Sequence, residues 1–472
     1  MKVALIYPGK KADEKQLPLG LGYLASFILR ENNDNEVTVL DTAVATPRET
    51  KVFFGKDCDI FGITVTSRAY REAVELSRNL KRIHADVPIV FGGPHISLVM
   101  DQILQEPSID IAVYGEGELT FSELIKSLRR NEKKLNIRDL GRINGLIYRD
   151  NSRVVKTPPR DLIQDLDTLP FPAFDLFPMT RYPGKYPMIT SRGCPFLCVF
   201  CASSQIWGRK WRARSPENII AEVQYLVTNF RSRPIDFHDD GFNMNLKRVN
   251  AICDLLLKEN IKIAWGVRGF RADIINANIA QKMRRAGCTH VAIGIESANN
   301  DMLNRMGKKE SIEVIERGID HLRSVGIDVT GQFMIGNPGE TLETVKESIK
   351  FAKESKLTKA VFGGAVPFPK TSLWDYVEEH GTFLIEPDCT RFEDIFPRVI
   401  FETPEFSKED RLQSIKLVEE AGMQPNANQP NSLARILKKA AALIWFRFIY
   451  GLLPNSISTR LYFLLRKIKA KL

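Results

Sequence analysis

Short apolar runs alternate with helical segments along most of this chain, and this alternation constrains its fold more than any other feature. In the first 150 residues the alternation is typical of a doubly wound α/β domain, in which helices cover both faces of a parallel sheet. We therefore predict this fold for residues 1–142. The expected strands are 3–7, 37–40, 60–65, 89–91 and 109–114, and the expected helices lie near 19–31, 69–84 and 119–130.

Glycine-rich loops follow several of these strands. Ligands of doubly wound sheets bind outside the carboxyl ends of the strands, and glycine lets the backbone approach a large ligand closely. An ordinary turn is the alternative for each glycine, and His95 is explained equally well as a polar turn residue. The candidate binding residues in these loops are Gly20, Gly22, Ser67, Gly92, Gly93, His95, Gly115 and Glu116.

A connector is expected at 143–185. It contains a predicted hairpin, with strands at 146–149 and 154–156, and then a proline-rich passage from Pro158 to Phe174. Proline restricts the backbone without forming helix or sheet, so this passage is interpreted as an ordered linker. Its apolar residues are expected to dock the flanking domains together.

The alternation resumes at Tyr186 and gives six strand–helix units. A partial (β/α)6 barrel over 186–385 fits this number, and the active site of a barrel lies at the carboxyl ends of its strands. Residues 386–472 are predicted to form a helical C-terminal region. The expected barrel strands are 186–191, 234–240, 262–268, 290–296, 328–335 and 359–366, with helices near 216–230, 246–258, 275–286, 311–325 and 341–355.

Three cysteines, Cys194, Cys198 and Cys201, follow the first predicted barrel strand within eight residues. Three thiolates can bind three irons of a 4Fe–4S cluster and leave the fourth open, whereas a closed structural zinc site needs a fourth ligand nearby. Zinc and a disulfide are the alternatives. The first residues lack the apolar core of a signal peptide, so we expect a reducing cytoplasm, where disulfides are rare. The scattered cysteines, Cys58, Cys253, Cys288 and Cys389, are interpreted as small core residues.

The cysteine spacing, with Phe200 just before the last thiol, resembles the radical S-adenosylmethionine (SAM) superfamily. The resemblance implies a 4Fe–4S cluster that binds SAM, and reductive cleavage of SAM to a radical that removes hydrogen from an unactivated carbon. The preceding domain resembles the cobalamin-binding domain of the cobalamin-dependent members, in its Pro-Leu-Gly-Leu-Gly run from 18, its Gly-Gly-Pro-His from 92 and its Gly-Glu-Gly-Glu from 115. The Asp-x-His-x-x-Gly segment that supplies a cobalt ligand in many cobalamin proteins is absent.

Asp239 and Asp240 follow the second barrel strand. Neighbouring carboxylates are costly at a strand end unless they are solvated or bonded to donors, so we predict a catalytic role for both. A helix cap is the alternative. The family's acidic strand-end motif matches this segment, and the resemblance adds Arg271 after the third strand. Either Arg268 or Arg271 could pair with the carboxylate of SAM, because a guanidinium suits that group. An ion pair of Arg271 with Asp273 is the alternative there.

Four further residues are assigned to SAM by the resemblance alone. Glu296 and Ser297 stand where the superfamily contacts the amino or ribose groups of SAM. Gly336 and Pro338 belong to a Gly-x-Pro-Gly-Glu-Thr signature near the adenine. The signature also makes sense as a tight turn before a helix, so its role is either binding or structure.

The net charge of +10 is concentrated at the end of the chain. Residues 433–472 contain nine Lys and Arg and no Asp or Glu, so the body is nearly neutral and a broad nucleic-acid-binding face is not expected. Apolar residues recur on one face of this segment, which predicts a basic amphipathic pair of helices on an anionic membrane surface. Covering an apolar patch of the enzyme or of a partner is the alternative. We thus expect a cytoplasmic protein with peripheral contact at the inner membrane face.

The leading hypothesis is methylation of an unactivated carbon of a lipid, isoprenoid or other hydrophobic small molecule, with electrons from a flavodoxin, a ferredoxin or a reductase. Ring formation or rearrangement on the same scaffold is the second hypothesis, and a non-catalytic cobalamin-binding protein is the third. The methylthiotransferase branch is disfavoured because the first domain has only Cys58, where a second cluster would need three thiolates.

Overall fold

The first sheet is built from apolar runs that are buried on both faces, as is typical of parallel sheets. The computed structural model describes residues 1–9, 15–230, 232–385 and 399–425. Its first seven strands are β1 (Lys2–Tyr7), β2 (Glu36–Asp41), β3 (Ile60–Thr64), β4 (Ile89–Gly92), β5 (Ile111–Val113), β6 (Leu146–Asp150) and β7 (Arg153–Lys156). The helices of this part are α1 (Leu19–Glu31), α2 (Pro47–Phe54), α3 (Tyr70–Ile83), α4 (Pro94–Val99), α5 (Gly117–Arg130) and α6 (Ile137–Leu140).

The sheet order is β2-β1-β3-β4-β5-β6-β7, and β1 to β5 are parallel, which confirms the predicted doubly wound fold. The strand order reverses between β1 and β3. A crevice for a ligand is expected at such a switch point, outside the carboxyl ends of the strands.

The hairpin of β6 and β7 differs from the predicted organisation. The sequence predicts a separate connector from 143, but β6 pairs antiparallel with β5, so the hairpin extends the first sheet. Leu146 and Ile147 are fully buried there. The physical reason is that β5 would otherwise expose its hydrogen-bonding edge.

The proline-rich passage after the hairpin packs against both neighbouring parts of the chain. The Ala173 amide donates to the Gly22 carbonyl at 3.0 Å, and the Tyr182 hydroxyl donates to Asp41 at 2.9 Å. On the other side, the buried Phe174 ring lies 6.3 Å from the ring of Tyr225. The passage therefore links the two domains through packed side chains.

The second sheet is parallel and has seven strands, of which the first six along the chain are those that the predicted partial barrel requires. Its order is β8-β11-β12-β13-β14-β15-β18, with two short pairs outside it. The strands are β8 (Tyr186–Met188), β9 (Ser191–Arg192), β10 (Arg212–Ala213), β11 (Ile235–His238), β12 (Trp265–Phe270), β13 (Cys288–Glu296), β14 (Asp328–Ile335), β15 (Lys359–Gly364), β16 (Thr382–Phe383), β17 (Phe401–Glu402) and β18 (Gln424–Pro425). The helices are α7 (Ser203–Trp207), α8 (Pro216–Asn229), α9 (Leu246–Lys258), α10 (Ala277–Arg285), α11 (Asn300–Arg305), α12 (Ile312–Ser324), α13 (Leu342–Glu354), α14 (Ser372–His380) and α15 (Lys408–Glu420).

The barrel continues past its predicted end at 385. Strand β18 pairs with β15, and α15 packs against α13, so residues 399–425 complete the barrel. Cys389 and the predicted amphipathic pair at 433–472 lie outside the described residues. Over the described ranges, none of the helices is both long enough and apolar enough to span a bilayer.

Candidate functional site

The three cysteines lie on the loop between β9 and α7, at the carboxyl end of the barrel. Two tight backbone approaches shape this loop. Gly193 has φ +83°, and a Cβ there would lie 2.4 Å from the Lys210 carbonyl oxygen. Gly307 has φ +68°, and a Cβ there would lie 2.9 Å from the Leu197 carbonyl oxygen. Only glycine fits both positions without strain, and the short pairing of β9 with β10 closes the loop.

The thiols of Cys194, Cys198 and Cys201 are half-buried, and burial raises the pKa of each, that of Cys201 to about 11. Binding iron would displace these protons, because only the thiolate is a ligand. Among the described residues, no group of three or more Cys, His, Asp or Glu side chains converges as ligands of a single ion would. In a 4Fe–4S cluster each thiolate binds a different iron, so the three thiols need not converge.

Arg271 holds the cysteine loop through an aromatic ring. Its guanidinium lies 3.7 Å from the centre of the Phe196 ring, between the first two cysteines. It donates to both carboxylate oxygens of Asp273, at 2.9 and 2.8 Å, and lies 2.9 Å from Glu310. The pair with Asp273 is thus present, and Arg271 is a positioning residue for the loop in this geometry. Its predicted contact to SAM stays a prediction.

Lys308 is a cation at this loop that the sequence analysis missed. It is buried, and its Nζ lies 3.3 Å from Glu310. Burial raises the pKa of Glu310 to about 7, although the positive charges of Lys308 and Arg271 lower it in part. Glu296 lies beside Lys308 at the end of β13 with φ +69°, and burial raises the pKa of its carboxyl. A buried ammonium and a half-buried carboxyl next to the cysteines suit the carboxylate and amino groups of SAM.

Asp239 and Asp240 face different surroundings. Asp239 is buried and accepts hydrogen bonds from the Thr190 amide at 2.7 Å and from the Ser191 hydroxyl at 2.7 Å. It therefore fixes the strand that leads into the cysteine loop. Asp240 is exposed at the wall of a cavity, where loss of solvation raises the pKa of its carboxyl and a hydrogen bond from Ser203 at 2.9 Å offsets part of the rise.

The turn after β14 is organised by buried charges. The amides of Gly336 and Asn337 donate to Glu340, and burial raises the pKa of Glu340 to about 7. Arg411 of α15 reaches under the turn, since a Cβ at Gly336 would meet its guanidinium. The described contacts thus support the structural role.

The other residues assigned to SAM lie nearby in the barrel. Ser297 is buried and accepts a hydrogen bond from the Asn299 amide at 3.3 Å. Pro338 is half-buried in the turn, and Phe200 packs on the small apolar cluster around Phe401.

A cavity of about 300 Å³ lies between the carboxyl ends of the two sheets. Its walls are mostly apolar side chains and glycine backbone. A Cβ built at Gly20 or Gly115 would meet no atom within 4 Å, so the two positions leave room for a ligand. A glycine-lined space at a switch point is the setting in which a large planar cofactor fits against backbone. Of the predicted residues, Gly20, Gly92, Gly93, Gly115, Glu116 and Asp240 line this cavity.

Buried ion pairs join the two domains at the cavity wall. Arg192, just before the cysteine loop, donates to Glu116 at 2.7 Å and to Glu118 at 2.6 Å. Arg212 donates to both oxygens of Glu116 at 3.0 Å. Burial alone would lower the pKa of Arg192, but the two carboxylates more than offset it and the pKa is raised. Glu116 therefore serves as an interdomain contact as well as a cavity residue. These four side chains are called the interdomain ion-pair cluster below.

Three predicted binding residues do not line the cavity. A Cβ at Gly22 would lie 2.8 Å from the Cβ of Pro172, so this glycine is needed for packing of the connector. Ser67 and His95 bond to each other, with 3.0 Å between the Ser67 hydroxyl and His95 Nδ1. His95 is buried beside the Tyr70 ring, and its Nε2 has no hydrogen-bond partner among the described residues. Helix α4, which the sequence analysis missed, turns His95 inward.

Replacing His95 with asparagine is expected to flatten the acid side of the stability curve. Burial lowers the pKa of His95 to about 4. Between about pH 4 and about pH 6.5 the folded chain therefore binds fewer protons than the unfolded chain, in which the pKa of His95 is about 6.5. The free energy of unfolding is thus at its full value above about pH 6.5 and decreases as the pH falls towards about 4. The loss amounts to up to about 3 kcal/mol. The urea midpoint measured from pH 7 to pH 4 for both proteins checks this, and equal acid slopes would contradict it.

Sequence reasoning missed two aromatic residues of the cavity, in addition to the charged Arg192. Trp207 and His238 both line it, and the Arg192 guanidinium lies 5.8 Å from the centre of the Trp207 ring. The sequence did contain a signal for the pairing. Two acidic residues, Glu116 and Glu118, follow one predicted strand, and two arginines, Arg192 and Arg212, flank the cysteine loop. Opposite charges at two ligand-facing edges indicate that those edges meet.

Comparisons with known proteins agree with this geometry. The family model of the B12 binding domain matches residues 9–125, and that of the radical SAM superfamily matches residues 188–352. An uncharacterized methyltransferase of Pyrococcus horikoshii is 37% identical over 391 residues, which cover 80% of this chain and 83% of the relative. An anaerobic magnesium-protoporphyrin IX monomethyl ester cyclase of Rubrivivax gelatinosus is 28% identical over 391 residues, covering 79% of this chain and 69% of that protein.

A solved structure shares the fold. The radical SAM methyltransferase TsrM from Kitasatospora setae, with cobalamin and a [4Fe-4S] cluster bound, superposes with a TM-score of 0.68 at 19% identity and covers 82% of this chain and 78% of TsrM. Because the two matched domains and the P. horikoshii relative span most of the chain, the protein belongs to the cobalamin-dependent radical SAM enzymes, which use a 4Fe–4S cluster, SAM and cobalamin.

Proposed function

We propose that this enzyme methylates an unactivated carbon of a hydrophobic small molecule. The observation that carries the proposal is the shared cavity, because the glycine loops of the first domain and the strand that leads into the cysteine loop line the same space. Two cofactors bound at these edges would face one substrate. The name of the P. horikoshii relative, a methyltransferase, supports the same reaction class.

The residues present fit both cofactors. Cys194, Cys198 and Cys201 would hold the cluster, and Gly20 and Gly115 leave the space that a corrinoid needs. When bound, these groups supply reductive cleavage of SAM and a carried methyl group, while the protein supplies binding, orientation and exclusion of water.

The chain's own residues supply that positioning. Asp239 fixes the strand before the cysteine loop through Thr190 and Ser191. Arg271 supports the loop through Phe196. Lys308 offers a buried cation to a carboxylate. Asp240 lies at the wall of the cavity, where its carboxylate is placed to accept a proton from a group bound there.

Three finer statements are proposals. A lipid or isoprenoid substrate and a peripheral membrane contact are motivated by the basic amphipathic pattern of 433–472. A flavodoxin, a ferredoxin or a reductase is proposed as electron donor, because reductive cleavage needs an external electron. The mostly apolar cavity wall is consistent with a hydrophobic substrate.

Cyclisation is the second candidate function, favoured by the 28% identity to the R. gelatinosus cyclase. The two reactions differ in the fate of the methyl group. Reconstituted enzyme, reductant and SAM labelled with deuterium in its methyl group would be incubated with a lipid extract of the source cells. Label in an extractable product is expected, whereas a new unlabelled product would favour cyclisation or rearrangement.

A cavity-filling variant makes this test specific. In Gly20→Leu a side chain enters the open space, so we expect bound corrinoid and product label to fall together. Gly55→Leu is the matched control, because Gly55 is exposed at the end of α2 with φ −82° and lies outside the cavity lining. Full labelling by Gly20→Leu would contradict the assignment of this cavity to cobalamin.

A further inference from the structure

We propose that an inward-facing charged cluster inside the barrel binds an anionic oxygen group of the substrate, a carboxylate or a phosphate, with Arg268 as its main contact. This inference rests on the proposed function and adds the class of substrate. The cluster consists of Lys185, Asp236, His238, Arg268 and His290, and is called the lumen cluster here.

The lumen cluster is formed by alternate positions of adjacent parallel strands. His238 of β11 is in register with Arg268 of β12, and Asp236 is in register with Gly266, which pairs with His290 of β13. Successive side chains of a strand point to opposite faces. The intervening residues, Ile235, Phe237, Trp265, Val267 and Val291, are buried in the apolar core beneath the helices, so the charged set points to the barrel interior.

In the described part of the barrel, the inward positions at this level are Asp236, Gly266 and His290, whereas branched apolar side chains fill a packed (β/α)8 barrel. Gly266 leaves room for a neighbour, since a Cβ there would lie 2.3 Å from His290 Nδ1. The next inward positions of β13 are Ala292 and Gly294. His238 lines the cavity described above, so the lumen cluster borders the cavity at this residue.

Asp236 organises the lumen cluster. It is buried and accepts from Arg268 Nε at 2.7 Å, with His238 Nε2 at 3.1 Å and Lys185 Nζ at 3.4 Å. Burial alone would raise the pKa of Asp236, but His238, Lys185 and Arg268 together hold it well below its usual value. The carboxylate therefore stays ionised and fixes the direction of the guanidinium.

Arg268 differs from the other arginines of the site. Arg192, Arg212 and Arg271 have side chains at most 9% exposed, and their terminal nitrogens lie at buried carboxylates, which for Arg271 is Glu310. Arg268 uses only Nε for Asp236, its side chain is 41% exposed, and its two terminal nitrogens donate no hydrogen bond within the described ranges. A guanidinium held at Nε presents a pair of parallel N–H groups, which matches a carboxylate or a phosphate.

Charge and position agree with an anion site. Two cations, Arg268 and Lys185, face the ionised Asp236. The neighbouring Asp328 of β14 is paired with Arg323 at 2.7 Å, so the lumen cluster keeps a net positive charge. Burial lowers the pKa of His290, which keeps that ring neutral near pH 7. The pairing of β12 with β13 places Arg268 roughly 13 Å from Glu296, towards the amino ends of the strands. The bound anion would thus be remote from the cysteine loop and would anchor an extended substrate.

Calorimetric titration of the purified full-length protein with orthophosphate and, separately, with acetate tests the inference at constant ionic strength. We expect saturable binding of one of the two, which would indicate a phosphate or a carboxylate group. Arg268→Gln should weaken it about ten- to a hundredfold, as expected for loss of hydrogen bonds to a charged group. Arg268→Lys should weaken it less, and Arg130→Gln, at a largely exposed arginine of α5, should leave it unchanged.

Two results would overturn the inference: no saturable binding of either anion, or equal affinity in the wild type and Arg268→Gln. If Arg268→Gln does not fold, the decisive readout is a shift of the His238 imidazole NMR signal in wild type on adding the anion, and no shift would count against the inference. Anion binding is independent of turnover. Binding without label transfer would therefore reject the proposed function alone, and label transfer without anion binding would reject this inference alone.

Discussion

Replacing Cys198 with alanine is expected to abolish formation of 5′-deoxyadenosine from SAM. Cys198 is the central one of the three thiols that the loop after β9 presents. Two thiolates cannot replace the three that would hold the cluster, so iron and sulfide bound after anaerobic reconstitution should fall sharply. Iron content, the cluster absorption band and deoxyadenosine, measured on the same sample with a strong reductant, check the result.

Cys58→Ala is the matched control, because Cys58 is buried in the core of the first domain. It should retain the iron content and the deoxyadenosine yield of the wild type, apart from a small loss of stability. An unchanged iron content in Cys198→Ala would contradict the assignment. Loss of iron in Cys58→Ala instead would place the cluster elsewhere.

Replacing Arg192 with methionine is expected to destabilise the docking of the two domains by about 3–5 kcal/mol, as for other buried pairs that lose one partner. Its side chain is 9% exposed and is bonded to Glu116 and Glu118. Arg212 still pairs with Glu116 in the variant, so Glu118 is left with an uncompensated buried charge. Because the same residues line the cavity, bound corrinoid should fall as well. Thermal unfolding and corrinoid content measure the two effects.

A second substitution separates charge from packing. Glu118→Gln in the Arg192→Met background removes the charge that was left unpaired, so part of the lost stability should return. Arg181→Met is the matched control, because Arg181 also bonds to carboxylate oxygens through both terminal nitrogens, here of Glu49 alone, but both side chains are at least 40% exposed. Its cost should stay within about 1 kcal/mol. Equal costs for Arg192→Met and Arg181→Met would show that the interdomain ion-pair cluster does not stabilise docking.

The position of the interdomain ion-pair cluster links stability to cofactor binding. Glu116 and Arg192 wall the same cavity that Gly20 and Gly115 leave open. A ligand that binds only the docked state stabilises it by mass action. We therefore expect added corrinoid to raise the unfolding temperature of the wild type more than that of Arg192→Met.

Local sequence determined both sheets and the cysteine loop. Apolar runs and helical segments alternate with the periods of strand and helix, and these periods depend only on backbone geometry. The cysteine spacing likewise predicts the ligand set of the cluster within one loop. Even helix α2, which was not predicted, has a local signal, since Thr46 and Glu49 form a capping box around Pro47.

Only the tertiary structure decided which functional side chains meet. Arg192 pairs with Glu116 across 76 residues of chain, and His95 turns into the core although it follows a ligand-facing glycine pair. Asp239 and Asp240 are adjacent in sequence, yet one is buried and bonded to Thr190 while the other faces the cavity. These outcomes depend on desolvation and on long-range packing. A buried charged group is stable only where a residue distant in the sequence pairs with it and compensates the cost of its burial. The sequence alone carries the residues of such pairs but not their distances, and the fold decides which pairs form.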